Sequence, residues 1–122
     1  MSRLNIKKGL DLLLPAFKQY AERHPDALLV LAGPDDGYRA TAEAFVRENN
    51  LEGRVKLVGM LMDDDKKAAL ADADVFVLPS YSEGFSMAVL EAMAAGTPTI
   101  VSDRIGFGDV IRETGAACLT DL

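Results

Sequence analysis

The sequence predicts an α/β fold, a Rossmann-like open parallel sheet flanked by helices on both faces. Three observations carry the prediction. Five short apolar runs punctuate the 122 residues. Each follows an amphipathic or alanine-rich stretch and closes on Gly, Pro, Ser or Asp, so the repeating unit is helix then strand. The runs are continuous rather than alternating, the pattern of strands buried on both faces. Such alternation of elements requires right-handed crossovers, which lay helices on either side of a parallel sheet.

Taken in order, the chain opens at Met1 and reaches a helix by about residue 9, leaving only Ser2, Arg3 and Leu4 for a stub of strand. The first strand of a doubly wound sheet is usually central, and its absence would leave the ladder groups of its neighbours unpaired. The first strand therefore reads as truncated, and residues 1–122 as a single domain excerpted from something longer. Leu10, Leu13, Leu14, Phe17 and Tyr20 recur at spacings of three or four and form one helical stripe. Pro15 interrupts it. Proline costs up to about 3 kcal/mol beyond the first turn, so this helix is expected to begin near Asp11 or to kink at Pro15. His24, followed by Pro25, reads as a C-terminal cap. Strands are expected over Leu28 to Ala32, Val55 to Val58, Val75 to Leu78, Thr99 to Ser102 and Ala117 to Leu119. Helices are expected at about 37–49, 64–72, 85–95 and 107–113, with Asp63, Asp64 and Asp65 at the positive end of the second of these.

Composition narrows the function. A chain that is 49% hydrophobic and 26% charged is globular, which excludes disorder as its main state. Thirteen Lys and Arg against nineteen Asp and Glu leave a net charge of −6, the wrong sign for holding a nucleic-acid backbone over a broad face. Any anion site must be local. The single cysteine, Cys118, closes no internal disulfide and has no partner at metal-ligand spacing, which points to a reduced, cytoplasmic compartment and an inert core thiol. No apolar run approaches the roughly 18 residues of a transmembrane segment, and residues 1–10 lack a signal-like apolar region.

Ligands of open parallel sheets bind beyond the carboxyl ends of the strands. That rule singles out Arg3 with Lys8 and Gly9, then Gly33 to Gly37, Pro79 to Ser86, and Asp103 to Gly108. Ser82 to Ser86 reads as a loop feeding a helix N-terminus, whose unsatisfied amides suit an anion. Arg3 and Lys8, carried to the same rim, offer charge-assisted hydrogen bonds worth about 1.5–3 kcal/mol each, and together suit a diphosphate. Glu91, an acceptor only, matches the two donating hydroxyls of a ribose diol. Its neighbours Leu90, Ala92 and Met93 imply a packed helix in which a carboxylate needs a partner. Glu83, at the loop, is placed to face another polyol such as a sugar. Taken singly, each is an ordinary solvated or capping charge; their company favours binding. Asp72-Ala73-Asp74 spells a metal motif but precedes its strand, at the edge opposite the ligand rim, so no metal and no cofactor is expected. Gly106-Phe107-Gly108 lacks the third glycine of a dinucleotide fingerprint and reads as a tight turn.

Several runs add up to a family resemblance. Arg3-Leu4 is followed by Lys8-Gly9. Val55-Lys56-Leu57-Val58-Gly59 comes next, and Asp74 to Glu91 contains Pro79-Ser80, Glu83-Gly84-Phe85 and Leu90-Glu91-Ala92-Met93-Ala94. Over essentially its whole length the chain resembles the C-terminal, donor-binding domain of retaining GT-B-fold glycosyltransferases of group 1, which include sucrose and mannosyl transferases. The resemblance implies one half of a GT-B fold. It implies that Arg3 and Lys8 bind the donor diphosphate, that Glu91 binds the nucleotide ribose, with Leu90 beside it among the substrate-binding residues, and that Glu83 faces the donor sugar, assisted by the loop amides of Gly84, Phe85, Ser86 and Met87. Val58, Gly59 and Met60 would border the nucleobase with Arg54 nearby, and the turn at Gly106 would face the donor sugar or its phosphate. The implied catalytic residues are Arg3, Lys8 and Glu83, acting without a metal on a nucleoside-diphosphate sugar. The implied partner is an N-terminal domain carrying the acceptor site and often a histidine that His24 does not replace, so that the chain alone is inactive. The implied location is cytoplasmic, or peripheral at the inner face of the membrane. Ser2 stands where the family usually has Gly, Asp109 where it often has Glu, and Pro15 where it tends to have a helix former. Two other readings stay open: a non-catalytic nucleotide-sugar-binding or regulatory module, and half of a sugar-nucleotide epimerase.

Overall fold

Asn5, Gly9 and Pro15 decide how the chain enters its first helix in the computed structural model, which describes residues 2–81, 87–102 and 118–120. The Asn5 side chain accepts from the Lys7 N–H at 2.9 Å and caps a 3-10 turn over Ile6–Lys8. Gly9, at φ 75°, closes that turn by donating to the Ile6 carbonyl and is at once the N-cap of α1 (Leu10–Arg23). A left-handed residue joins the two helical pieces, and glycine adopts it without strain. α1 thus starts beside Asp11, as expected, and runs on through Pro15, whose ring nitrogen has no proton to give the preceding turn.

Two compact units follow one another, Met1–Met60 and Leu61–Leu122. In the first, β1 (Leu29–Ala32) and β2 (Val55–Gly59) pair in parallel, with Leu29 opposite Val55 and Leu31 opposite Leu57, then a register shift that sets Ala32 opposite Gly59. Between them runs α2 (Arg39–Glu48), closed by Asn50 in the left-handed region at φ 56° while the Leu51 N–H returns to the Val46 carbonyl at 2.9 Å. Leu4, Leu10, Leu14, Leu31, Ala42, Val46, Leu51 and Val55 form the core, with Leu13, Phe17, Leu29 and Leu57 packed against it. Tyr20 leaves the expected stripe. It is exposed and stacks on His24, ring centroids 4.1 Å apart, while the His24 N–H caps α1 on the Tyr20 carbonyl at 3.0 Å. Burial on both faces, as the apolar runs suggested, is not what β1 and β2 show. Val30 and Val58, each 46% exposed, alternate with the inward-facing residues.

The stub at the start has found a partner. Ser2 N–H donates to the Ala32 carbonyl at 3.0 Å and Leu4 N–H to that of Pro34 at 2.9 Å. The Leu4 carbonyl in turn accepts from Asp36 and Tyr38, so that Leu4 forms one parallel bridge with Asp35. At 2% exposure Leu4 anchors this segment in the core.

In the second unit, α3 (Asp63–Asp72) precedes β3 (Phe76–Leu78), α4 (Met87–Ala94), β4 (Thr99–Ser102) and β5 (Cys118–Thr120). The strands lie in the order β3-β4-β5, all parallel, with Phe76 opposite Thr99 and Ile100 opposite Cys118. The parallel α/β class is as expected, its strands hydrogen-bonded as one pair and one triplet. Leu70, Phe76, Leu78, Val89, Ala92 and Val101 are buried. The buried Thr97 hydroxyl donates to the Leu70 carbonyl, tying the end of α3 to the approach to β4. The helix expected at about 107–113 lies outside the described residues. Among the described residues no helix is long and apolar enough to cross a membrane.

Candidate functional site

The carboxyl ends of β1 and β2 are pinned together by the Gly33 N–H, which donates to the Gly59 carbonyl at 2.7 Å. Against this edge lies the segment Ser2 to Leu4. Gly33 has φ 148°, and a Cβ built on it would stand 1.6 Å from the Ser2 carbonyl oxygen. The close approach of two backbones there is possible only with glycine. Arg3 is exposed on that segment, and Lys8, half-buried, ends the 3-10 turn that follows. Asn5 ties this turn to the loop after β1, its Nδ2 donating to the Asp36 carbonyl at 3.2 Å. Asp35 Oδ1 accepts from the N–H groups of Gly37 at 3.0 Å and Arg39 at 3.2 Å, capping α2 from outside the helix. Arg3, Lys8, Gly59 and the exposed Met60 thus belong to one rim of one sheet, where two cations can receive an anion through charge-assisted hydrogen bonds.

Arg54 does not join them. It precedes β2 and stands at the amino end, a strand's length from Gly59, where its Nε donates to the Ala27 carbonyl at 2.8 Å and its Nη2 to that of His24 at 2.7 Å. The expected place beside the nucleobase stretch is therefore corrected. Arg54 satisfies carbonyls at the end of α1, a role suited to a guanidinium's fork of donors.

In the second unit the carboxyl ends of β3 and β4 are joined by the Ser102 hydroxyl, which donates to the Ser80 carbonyl at 2.6 Å with both residues buried. Glu83, Gly84, Phe85 and Ser86 lie outside the described residues, as do Asp103 to Gly108. Met87 opens α4 and is exposed; Leu90 and Glu91 are half-buried along it. The partner that Glu91 was expected to need is Lys66, from α3: its Nζ lies 2.8 Å from Glu91 Oε2, with side-chain exposures of 35% and 30%. Sequence reasoning missed Lys66, because 25 positions separate the pair and neither helical period links them. Asp72 ends α3 and Asp74 follows it, both at the amino end of β3. Among the described residues no three of His, Cys, Asp and Glu converge to hold a metal ion. Burial, and then the Asp11 carboxylate, push the Tyr38 phenol above its usual value.

Residues 1–121 match the profile of the family described as Glycosyl transferases group 1. The chain belongs to that family. Its relatives in the group include an uncharacterized glycosyltransferase of Methanocaldococcus jannaschii, 38% identical over 112 residues, covering 92% of this chain and 28% of the relative. Mannosylfructose-phosphate synthase of Agrobacterium fabrum is 39% identical over 109 residues, covering 84% of this chain and 24% of its own length. This group 1 chain therefore spans about a quarter of the length of the curated relatives it matches. Among solved structures, sucrose-phosphate synthase of Thermosynechococcus elongatus superposes with a TM-score of 0.77 at 32% identity over 98% of this chain and 31% of that one. HepE of Anabaena, solved in complex with UDP, gives 0.82 at 23% identity over 98% of this chain and 34% of that one. The parallel sheets and flanking helices are those of the C-terminal half of a GT-B glycosyltransferase.

Proposed function

We propose that this chain binds a nucleoside-diphosphate sugar and forms the donor-binding half of a glycosyltransferase acting with retention of configuration. The observation that carries the reading is the pair of cations, Arg3 and Lys8, set around the buried Leu4 anchor at the carboxyl rim of β1 and β2. Transfer breaks the bond from the anomeric carbon to the phosphate oxygen, and the electron pair leaves on the diphosphate. Preorganised donors aimed at that growing charge lower the barrier. Arg3 and Lys8 take this part, Glu91 receives the ribose diol, and Glu83 positions the sugar with the amides of Gly84 to Met87, with no metal required. An N-terminal domain brings the acceptor, whose hydroxyl oxygen forms the new bond while its proton passes to the departing diphosphate, and the whole enzyme works in the cytoplasm or at the inner face of a membrane. Support comes from the family and from relatives named as sugar-transferring synthases.

Isothermal titration of the chain with UDP, GDP, ADP and pyrophosphate tests the proposal. At least one nucleoside diphosphate is expected to bind. Lys8→Ala should weaken it about ten- to a hundred-fold, with pyrophosphate weakened alike, the value of one charged hydrogen bond. Glu91→Gln should weaken the nucleoside diphosphate and spare pyrophosphate. Failure of all three nucleotides to bind, or an unchanged dissociation constant in Lys8→Ala, refutes the reading.

A further inference from the structure

We infer that Lys66 is the positioning residue of the ribose subsite: its ammonium holds one oxygen of Glu91 so that the other is presented to the diol. The inference rests on the nucleotide-binding reading above and adds a residue to it. Lys66 and Glu91 come from different helices, α3 and α4, so their 2.8 Å contact is not the neighbour pairing that props up a single helix. The preceding turn of α3 offers Lys66 three carboxylates, Asp63, Asp64 and Asp65, yet its ammonium reaches across to Glu91 Oε2. A pair this exposed adds little to stability, which makes a purely structural purpose a weak explanation. The geometry gives it another. A carboxylate has about four acceptor positions, and an ammonium on Oε2 leaves Oε1 to receive ribose hydroxyls. The terminal torsion of glutamate is broad, so an unanchored Glu91 would be ordered anew by each ligand; Lys66 orders it beforehand. The bond from Thr97 to the Leu70 carbonyl fixes the far end of α3 and so keeps the two helices in register.

A double-mutant cycle on the chain separates positioning from direct contact. The probes are the tightest binder among UDP, GDP and ADP, its 2′-deoxy counterpart, and pyrophosphate. Lys66→Met should weaken the ribonucleotide by about ten- to a hundred-fold, the value of one charge-assisted hydrogen bond, and leave pyrophosphate unchanged. The preference for ribo over deoxy should collapse with it. Lys66→Arg should restore most of both. In a Glu91→Gln background Lys66→Met should cost nothing further. Because the ribo-to-deoxy ratio is taken within one protein, a change in folded fraction cancels from it. Additive losses, equal losses for pyrophosphate, or an unchanged ratio overturn the inference. If Glu91→Gln loses ribose preference while Lys66→Met keeps it, positioning fails and the nucleotide reading stands. If the unmodified chain binds no nucleotide, both fall.

Discussion

Replacing Gly33 by alanine is the sharpest test of how the rim is built. The new Cβ would stand 1.6 Å from the Ser2 carbonyl oxygen, and real Cβ atoms essentially never come closer than 3.0 Å, so Ser2 must retreat by about 1.4 Å. The Ser2 N–H to Ala32 bond, 3.0 Å long, cannot survive such a retreat, and the 2.9 Å bond from Leu4 to Pro34 lies two residues away. Each bond contributes about 0.5–1.5 kcal/mol net. Holding alanine at a backbone angle essentially reserved for glycine adds about 1–3 kcal/mol. The expected destabilisation is about 2–6 kcal/mol, or roughly 8–24 °C in Tm for a chain of this length. Gly37→Ala is the internal control, since its φ of 99° is also strained but a Cβ there meets nothing within 4 Å. It should fall short of Gly33→Ala by the value of the lost hydrogen bonds. Thermal unfolding followed by circular dichroism reads both, and exchange of the Leu4 amide reports the segment itself. Pyrophosphate affinity should fall in Gly33→Ala as well, because Arg3 rides on the displaced residues. A Gly33→Ala midpoint within about 2 °C of the parent, with the Leu4 amide equally protected, would refute the close-approach argument.

Arg54→Met should lower stability by about 1–3 kcal/mol, since it strips donors from the Ala27 and His24 carbonyls, and should leave nucleotide affinity untouched. A selective loss of affinity at unchanged Tm would return Arg54 to the nucleobase. Tyr38 makes a prediction about pH. Burial, then Asp11, raise its phenol above 10.0, so the folded chain keeps a proton that the unfolded chain releases. The resulting stability is intact below pH 10 and is lost as pH climbs from there through the folded-state value. Tyr38→Phe should therefore show a shallower fall of Tm above pH 10; parallel curves for the two proteins would count against it.

What the sequence disclosed and what it withheld divide along physical lines. An apolar run announces a strand because burial is a local property of composition, and β4 was expected over the residues it occupies. α3 likewise begins at Asp63, one residue before its expected start. Which face of β1 and β2 is covered depends on what packs there, and Val30 looks no different from Leu31 in the sequence until α1 and α2 take one side. Arg54 misled for a similar reason. It is five positions from Gly59, but a strand carries about 3.3 Å per residue, so nearness in sequence became distance along β2. The need of Glu91 for a partner could be read from its apolar neighbours. The identity of Lys66 could not, because pairing across two helices leaves no period in either.

The chain is acidic, with a net charge of −6, and two of its carboxylates, Asp35 and Asp36, sit on the rim beside the cations proposed to receive a diphosphate. Both are exposed and keep their negative charge, yet each also holds part of the scaffold. Asp35 spends Oδ1 on the N–H groups of Gly37 and Arg39, and Asp36 Oδ2 lies 3.4 Å from Asn5 Nδ2, the same amide that holds the 3-10 turn bearing Lys8. The rest of the negative charge acts from further off. At physiological salt the field of an exposed charge decays over about 8 Å, so contacts within hydrogen-bond reach outweigh the net charge of the body. The acids at this rim are therefore part of its scaffold. They hold the loop and turn that carry Lys8, beside the two cations proposed to receive the phosphate.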